Sequence, residues 1–465
     1  MKTLFASSEI FPFAKTGGLA DVAQALPQAL SSHIDVVCVM PLYGFMDRSH
    51  FSQASLNFNI TLAGITYPID IYTTQNQDVK TYLVDAPLLS TTQVLYSDTN
   101  DDLRFGIFCM AIVELALHVK VDLIHLNDWH TALVALFIKE RALSIKTLFS
   151  IHNLAYQGIF EHTSLERLGI DNRYFTMDAL EFYGSINFMK AGIAFSDAVT
   201  TVSPQYAKEI LTEQFGCGLE GFLRHHADKL SGILNGIDTT HFDPQNDRAL
   251  IENYSSKNIE AKYQNKKALL KETALKDPRK PLFVMISRLV GQKGFDLLLQ
   301  AIKPMLKKRL NLLLLVDGES HYKEPLENIA SSHENFTLLS GYDEARSRRI
   351  YSGSDFLLMP SLFEPCGLNQ MIAMRYGSVP VVHSVGGLFD SVHEDDVKCG
   401  QGVVFSKPTK KDFLDAIERA LKLKSNTKQM KEIINFNMQC DFSFESQIQT
   451  YIKLYKDIVL QKDYP

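Results

Sequence analysis

The chain has 465 residues, of which 46% are apolar and 22% charged, and its formal net charge is -6. About 150 residues make one domain, so this length predicts two large domains, or two with an appendage. The ordinary globular composition and mild acidity give no electrostatic reason to expect nucleic acid or an anionic membrane as a partner.

The N-terminus and the cysteines bear on where the chain works. Met1–Glu9 contains one basic residue and too short an apolar run for a signal peptide. Apolar runs elsewhere, such as Leu312–Val316, are far below the ~20 residues that span a bilayer. The six cysteines are scattered, with no C-x-x-C pair and no Cys/His cluster at zinc spacing. These patterns predict a cytoplasmic protein with reduced thiols, no membrane contact and no structural metal.

Short apolar runs alternate with helical patterns along the chain. Runs typical of buried strands lie, in chain order, at Lys2–Ala6, Ile34–Met40, Val121–Leu126, Thr147–Ile151, Ala198–Val202, Leu230–Leu234, Leu282–Ser287, Leu312–Val316, Phe336–Leu339, Phe356–Met359 and Val379–Val382. Nearly continuous apolar strands suit parallel sheets that are covered on both faces. Helical patterns between them, such as Leu19–Leu30 and Phe295–Leu306, indicate βαβ units. The predicted fold class is therefore α/β, with two doubly wound domains.

A polar stretch from 238 to 280 separates the two series of strands. It ends in Pro278-Arg279-Lys280-Pro281, which interrupts any helix just before a new strand. We predict an N-terminal domain at residues 1–240 and a C-terminal domain at 241–442. The tail, about 443–465, has helical spacing, and we expect it to pack back onto the first domain.

In the first half, unusual residues follow the strands. Lys15, Gly17 and Gly18 come after the first strand and lead into a helix that carries Asp21. Asp128 and His152 follow two further strands. Ligands of open α/β sheets bind beyond the carboxyl ends of the strands, and a helix N-terminus favours an anion. These residues form a candidate site, although a solvated glycine-rich turn and packed core histidines would produce the same pattern.

In the second half, charged residues again follow strands. Arg288 and Lys293 lie on one strand-to-helix turn and could clamp a diphosphate, although a salt-bridged surface loop is the alternative. Glu364 lies in an apolar turn bracketed by prolines, and Gly386 and Gly387 offer further backbone donors to an anion. The occurrence of these features after matching strands in both halves is the stronger signal.

The motifs resemble those of the bacterial glycogen synthase and plant starch synthase family over essentially the whole chain. The most specific are Lys15-Thr16-Gly17-Gly18-Leu19, Asp128-Trp129-His130, Ile151–Gly158, Leu234–Asp238, Ser287-Arg288-Leu289 with Gln292-Lys293-Gly294, and Phe363–Leu368. Related sucrose- and mannose-transferring families carry a second Glu eight residues after the first. Ile372 occupies that position here, which favours the glucan synthases.

The resemblance implies the GT-B architecture, in which two Rossmann-like domains face each other across a cleft. It implies transfer of glucose from ADP-glucose to the non-reducing end of an α-1,4-glucan, with retention of anomeric configuration. The partners would be ADP-glucose and glycogen. No cofactor or metal is expected, because two cationic side chains take the metal's charge role and no Asp-x-Asp motif is evident.

The resemblance also assigns roles to individual positions. Arg288 and Lys293 would hold the diphosphate, Glu364 would face the glucose, and His152 and Asp128 would lie near the anomeric centre. These five form the expected catalytic set. The expected binding set is Lys15, Gly17, Gly18, Asp21, Tyr342, Cys366, Gly367, Leu368, Gly386 and Gly387, with Tyr342 stacked on the nucleotide base.

Three alternatives remain open on the sequence. A nicotinamide dehydrogenase would carry G-x-G-x-x-G after its first strand, where this chain has Lys-Thr-Gly-Gly. A transferase of the same fold could make a small glycoside, and labelled donor with different acceptors would identify it. A catalytically silent glucan-binding homologue would be expected to lose the charged residues, all of which are present. The sequence does not predict an oligomeric state.

Overall fold

In a computed structural model, residues 1–318, 320–341, 343–394 and 400–460 are described, without the side chains of residues 54 and 55. The chain divides into two compact units. The first comprises Met1–Gly236 together with Phe444–Pro465, and the second comprises Ile237–Ser443. The division after Gly236 lies slightly ahead of the boundary expected at 240.

The first unit is built from twelve strands and eight short or medium helices within the described residues up to 236. Its strands are β1 (Lys2–Ala6), β2 (Asp35–Pro41), β3 (Ser52–Leu62), β4 (Ile65–Asn76), β5 (Val79–Asp85), β6 (Leu123–Asn127), β7 (Lys146–Ile151), β8 (Ile159–Phe160), β9 (Glu181–Phe182), β10 (Ser185–Asn187), β11 (Ala198–Thr201) and β12 (Leu230–Gly232). Its helices are α1 (Gly18–Ser31), α2 (Pro87–Ser90), α3 (Asp101–Val119), α4 (Leu133–Glu140), α5 (Ser164–Leu168), α6 (Phe188–Phe195), α7 (Pro204–Glu209) and α8 (Glu220–His225).

The second unit alternates strands and helices throughout its described residues. Its strands are β13 (Leu282–Arg288), β14 (Asn311–Asp317), β15 (Phe336–Ser340), β16 (Phe356–Met359), β17 (Val379–His383) and β18 (Val403–Phe405). Its helices are α9 (Lys262–Glu272), α10 (Phe295–Leu306), α11 (Lys323–Ser331), α12 (Glu344–Gly353), α13 (Asn369–Arg375), α14 (Gly386–Ser391), α15 (Lys410–Ser425) and α16 (Thr427–Gln439). A last helix, α17 (Glu445–Leu460), returns to the first unit.

Sheet topology places a switch point in each unit. The described strands of the first unit form a sheet in the order β12-β11-β7-β6-β1-β2-β5-β4-β3, and those of the second unit follow the order β15-β14-β13-β16-β17-β18. In each sheet, the strands that come next in the chain lie on one side of the first strand, and the later strands lie on its other side. The topological switch point is therefore between β1 and β6 in the first unit and between β13 and β16 in the second. Ligands of doubly wound sheets bind at such a switch, beyond the carboxyl ends of the strands. The predicted α/β doubly wound fold class is confirmed.

Two parts of the first unit were not anticipated. Strands β3 and β4 form an antiparallel hairpin that pairs with β5 and extends the main sheet. Strands β8, β10 and β9 form a separate small antiparallel sheet. The β3–β4 and β9–β10 pairs are short-range hairpins, and all of these strands have partly exposed faces, so they lack the continuous apolar runs by which the central parallel strands are recognised.

The core of the second unit is a cluster of buried apolar side chains. Phe283, Met285 and Phe356 pack with α10 residues such as Leu298 and Ile302 in one buried cluster. Burying apolar surface of this kind contributes about 25 cal/mol per Å². The core therefore holds β13 and β16 rigidly, and their ends present the loops that follow.

Two further observations concern cysteines and membranes. Cys38, Cys109, Cys217 and Cys366 are free thiols, but Cys440 is disulfide-bonded, which corrects the expectation of reduced thiols throughout. Cysteine spacing in a sequence does not by itself determine which cysteines form a disulfide. In the part of the chain that the structure describes, no helix is both long and apolar enough to cross a membrane.

Candidate active site

The loop after β1 is organised around a buried glutamate. Glu9 accepts hydrogen bonds from the backbone N–H and the hydroxyl of Thr16, and its Oε1 also accepts one from the Tyr96 hydroxyl at 2.6 Å. Burying a carboxylate requires such donors, because an uncompensated charge is costly away from water. Glu9 therefore fixes the Lys15–Gly18 turn onto the end of the first strand.

In this turn, Lys15 forms an ion pair and Gly17 leaves open space beside the backbone. The Lys15 ammonium lies 2.6 Å from an oxygen of Asp21, on the first turn of α1. Gly17 has an extended φ of -161°, and a Cβ placed on it would meet nothing within 4 Å. Neither backbone conformation nor packing requires a glycine there. The open space beside the N-terminus of α1, which begins at Gly18, suits the close approach of an anionic group.

Asp128 and His152 come together at the ends of the neighbouring strands β6 and β7. Asp128 Oδ1 accepts a hydrogen bond from the backbone N–H of His152 at 2.7 Å, and the ring Nε2 of His152 lies 2.8 Å from the Asn127 side-chain oxygen. Asp128 has a φ of +58°, a conformation rarely adopted outside glycine. Such local strain is held by the surrounding structure and is common at functional sites.

Burial shifts the ionisation of this pair in opposite directions. Removal from water raises the pKa of Asp128 to about 7, against the lowering effect of the N–H groups of His152 and Asn153. Burial lowers the pKa of His152 to about 4, so its imidazole is neutral at pH 7. Carboxyl and imidazole groups with displaced pKa values in one loop cluster mark a candidate functional site.

In the second unit, the buried Glu364 forms an ion pair with the partly exposed Lys293. The Lys293 ammonium lies 2.8 and 2.7 Å from the two carboxylate oxygens, and the Ser361 hydroxyl donates to the same carboxylate at 2.9 Å. Glu364 follows β16 and Lys293 follows β13, so the pair spans the switch point of this sheet. The predicted turn residues are therefore brought together side by side.

Backbone contacts lock these two turns against each other. The N–H of Leu362 donates to the Gln292 carbonyl at 2.9 Å, and the Gln292 amide donates back to the Phe363 carbonyl. Gly294, with φ of +78°, directly precedes α10, and a Cβ there would stand 2.0 Å from the Pro360 carbonyl oxygen. Glycine is therefore required where the two turns meet.

Gly386 and Gly387 open α14 directly against the glutamate turn. The N–H of Gly387 donates to the Glu364 carbonyl at 3.1 Å. A Cβ on Gly386 or on Gly387 would stand about 2 Å from the carbonyl oxygen of Glu364 or of Cys366, respectively. These glycines let a helix N-terminus approach the carboxylate segment, and the backbone contact itself requires them.

The remaining predicted residues surround this turn. Cys366 is buried, Gly367 has φ of +70°, and Leu368 precedes the first turn of α13. The buried Gln370 amide donates to the carbonyls of Cys366 and Gly367 and so holds the turn. Arg288 lies exposed at the end of β13. Tyr342, predicted to stack on the base, lies outside the described residues.

The two clusters have complementary chemistry. The turns of the second unit carry two cations, Arg288 and Lys293, and the N-termini of α10 and α14, which are groups of the kind that can stabilise phosphate charge. The Asp128–His152 cluster offers polar groups with little net charge, suited to hydroxyls. Within the described residues, no group of three or more His, Cys, Asp or Glu side chains is arranged to hold a metal ion.

Sequence reasoning missed the residues that hold these clusters in place. Glu9, Asn127 and Ser361 each bond directly to a predicted segment, and Tyr96 bonds to Glu9. Glu9 follows the first strand and could have been found by its place at the strand end. Tyr96 is 87 positions from Glu9 in the chain and carried no local signal.

The family models match both halves of the chain. The family described as "Starch synthase catalytic domain" matches residues 2–225, and "Glycosyl transferases group 1" matches residues 266–435. Together they cover both candidate clusters.

Individual relatives extend the similarity to full length. The chain is 40% identical to a glycogen synthase of Aquifex aeolicus over 98% of this chain and 99% of that one. It is 38% identical to a glycogen synthase of Desulforamulus reducens over the whole of both chains.

Solved structures agree. The catalytic domain of starch synthase IV from Arabidopsis thaliana, bound to ADP and acarbose, is similar with a TM-score of 0.93, 34% identity and 99% coverage of both chains. A sucrose-phosphate synthase from Thermosynechococcus elongatus, at 17% identity and a TM-score of 0.65 over 98% of both chains, shares the fold. The chain belongs to the glycogen synthase and starch synthase family of glycosyltransferases.

Proposed function

We propose that this glycogen synthase family member transfers glucose from ADP-glucose to the non-reducing end of an α-1,4-glucan with retention of configuration. The observation that carries the proposal is the partly buried Lys293–Glu364 pair at the switch point of the second unit. The starch synthase of similar structure was solved with ADP and acarbose, which supports the same ligand classes here.

The chemistry of transfer matches the residues of each cluster. As the bond to the nucleoside diphosphate breaks, negative charge develops on the phosphate and positive charge on the sugar. Arg288 and Lys293 stabilise the phosphate, and the Glu364 carboxylate stabilises the sugar cation. These two basic side chains supply the charge that a divalent metal supplies elsewhere, so we propose that no metal is needed.

The first unit is proposed to receive the glucan and the donor glucose. The backbone of Gly17 and Gly18, with Lys15, would approach the donor closely. The neutral His152 imidazole, held at its Nε2 by Asn127, would contact a sugar hydroxyl. Asp128 would position the loop through its bond to the His152 backbone N–H rather than by exchanging protons.

A direct test replaces Glu364 with Gln and measures glucosyl transfer at saturating donor. The neutral amide cannot stabilise the sugar cation, so kcat should fall about 10²- to 10³-fold. Glu334→Gln, an exposed carboxylate in the same unit, is the matched control. Near-normal kcat for Glu364→Gln would remove the assigned role.

Donor, stereochemistry and metal dependence are tested in one set of assays. The wild-type protein is given ADP-glucose or UDP-glucose with glycogen, with and without EDTA. We expect a preference for ADP-glucose, an α-linkage by NMR and no loss of rate with EDTA. Preference for UDP-glucose would overturn the nucleotide assignment alone, and loss with EDTA would overturn metal independence.

A further inference from the structure

The Lys293 ammonium is already bound by a carboxylate of the same unit. It lies 2.8 Å from Oε1 and 2.7 Å from Oε2 of Glu364, so two of its three N–H donors are in use. Arg288, the second cation that we assign to the diphosphate, lies exposed at the end of β13. A diphosphate that arrives at these turns therefore meets one cation at the surface and one that a carboxylate already holds.

The carboxylate is the fixed partner of this pair. Its Oε2 also accepts a hydrogen bond from the Ser361 hydroxyl at 2.9 Å, and the Glu364 side chain is only 6% exposed. The N–H of Gly387 donates to the Glu364 carbonyl at 3.1 Å. Lys293 is 21% exposed and carries its charge on a flexible four-carbon stem. A change of partner is therefore expected from the ammonium rather than from the carboxylate.

Taking the ammonium from Glu364 costs free energy, and the cost depends on what replaces it. A buried carboxylate that loses its counter-charge and its donors is strongly destabilised. The diphosphate of ADP accepts hydrogen bonds from Lys293 and, with no proton to donate at neutral pH, offers none to Glu364. ADP-glucose presents its two phosphate groups together with the hydroxyls of the sugar, which can donate to the carboxylate in place of the ammonium.

We propose that Glu364 is a specificity-determining residue, which competes with the diphosphate for Lys293 and thereby favours ADP-glucose over ADP. The inference rests on the proposed function and deepens it. When the donor binds, a glucose hydroxyl replaces the ammonium at Glu364, and the ammonium turns to the diphosphate. After transfer the glucose has left with the glucan, so Glu364 recovers the ammonium and ADP is released more readily.

Simple repulsion is the competing explanation. A carboxylate near a diphosphate disfavours ADP through its charge alone, whatever its contacts. Repulsion requires only the negative charge, whereas competition requires a carboxylate that reaches Lys293 with both oxygens. Glu364→Asp separates the two explanations, because it keeps the charge and withdraws the carboxylate by one methylene. Glu364→Gln removes the charge and the ion pair together.

Isothermal titration calorimetry measures the dissociation constants of ADP and ADP-glucose in the absence of glucan. In Glu364→Gln the Kd of ADP should fall about tenfold, because Lys293 no longer has to leave a carboxylate to bind the diphosphate. The Kd of ADP-glucose should stay within about twofold of wild type, since the amide also loses the charge-assisted hydrogen bond to the sugar hydroxyl. The preference for ADP-glucose over ADP is therefore expected to weaken in this variant.

Glu364→Asp should also bind ADP more tightly than wild type, by about threefold, because the shortened carboxylate holds the ammonium less firmly. Glu334→Gln is the matched control. It removes a carboxylate of the same unit that pairs with Lys276 at the surface, and it should bind both ligands as wild type does. Urea unfolding of each variant establishes that the titrated protein is folded.

A crystal structure of the wild-type protein with ADP needs no variant. It should place Lys293 Nζ within ~3.2 Å of a phosphate oxygen and beyond that distance from at least one oxygen of Glu364. An intact pair with both oxygens would overturn the proposal. So would an unchanged Kd of ADP in Glu364→Gln, equal tightening of ADP and ADP-glucose, or a wild-type Kd of ADP in Glu364→Asp.

Failure of the proposed function gives a different result. The wild-type protein would then bind ADP-glucose but transfer no glucose to glycogen, and the titrations, which need no transfer, would still report on Lys293 and Glu364. If UDP-glucose is the preferred donor, the same titrations are made with UDP and UDP-glucose, and the same differences between variants are expected.

Discussion

At the residue scale, glycine occurs for different reasons in the Gly17-Gly18 turn and in the Gly386-Gly387 turn. Gly17 has neither a positive φ nor any atom near its missing Cβ, whereas Gly387 faces a carbonyl oxygen about 2 Å from that position. Backbone packing therefore requires glycine at position 387, whereas we propose that Gly17 serves the close approach of a ligand.

Gly17→Ala should leave stability unchanged and lower kcat/KM about 10²-fold, because the added methyl displaces the donor. Gly387→Ala should destabilise the second unit by about 2–3 kcal/mol through overpacking. Urea unfolding and initial rates distinguish the two effects. Equal destabilisation by both variants would contradict this division.

The raised pKa of Asp128 gives a pH-dependent contribution to stability. A buried carboxyl with a folded pKa of about 7 binds more protons in the native than in the unfolded state, whose pKa is near 3.8. Its stabilising contribution is therefore present at low pH and falls as pH rises from about 4 to 7.

Asp128→Asn removes this titration. We compare the free energy of unfolding of wild type with that of the variant. The difference, wild type minus variant, should be smaller at pH 8 than at pH 5 by on the order of 2 kcal/mol. Urea unfolding at both pH values measures this double difference, in which the titrations of other groups cancel. A difference independent of pH would show that Asp128 is ionised throughout the range.

At the element scale, one carboxylate joins three elements of the second unit. Asp355, just before β16, accepts from Lys266 of α9 and from Lys424 of α15, each at 2.6 Å, and from the Leu282 N–H of β13. Burial alone would raise the pKa of Asp355, but the two ammonium groups hold it at about 2.

Asp355→Asn should destabilise the second unit by about 3–5 kcal/mol, because the buried Lys266 ammonium loses its counter-charge. In wild type this contribution is complete above about pH 4 and is lost as pH falls through 2. Thermal or urea unfolding at pH 7 checks the first point. Glu334→Gln, which breaks an exposed pair with Lys276, is the control and should change nothing measurable.

At the scale of the whole molecule, the last helix of the chain belongs to the first unit. Helix α17 buries Ile448, Tyr451, Ile452, Tyr455 and Ile458. The Tyr455 hydroxyl lies 2.6 Å from His125 Nδ1 on β6, and His125 Nε2 lies 2.6 Å from the Ser150 hydroxyl on β7. The last helix is thus bonded to β6, which precedes Asp128, and His125 links β6 in turn to β7, which precedes His152.

Truncation before Phe444 should therefore loosen the first unit selectively. Hydrogen exchange should accelerate in β6 and β7 and stay unchanged in β13 and β14, since α17 belongs to the first unit. Tyr455→Phe, which removes only the hydroxyl, should give a smaller change in the same strands. Equal acceleration in both units would contradict this division.

Much of the fold could be predicted from the sequence because its determinants are local. Continuous apolar runs marked β1, β6, β7, β13 and β16, and glycines and charges marked the turns after them. Motif resemblance then supplied the family. Hairpins β3–β4 and β9–β10 escaped because partly exposed antiparallel strands carry a weaker pattern.

The sequence alone thus determined the α/β class, the position of the chemical residues after strands, and the family. Only the tertiary structure decided their partners: Glu364 with Lys293, Thr16 and Tyr96 with Glu9, His125 with Tyr455. The partners in these pairs lie between 7 and 330 positions apart. Hydrogen bonds across such distances depend on how strands are ordered in a sheet, and strand order is a property of packing that no local periodicity encodes.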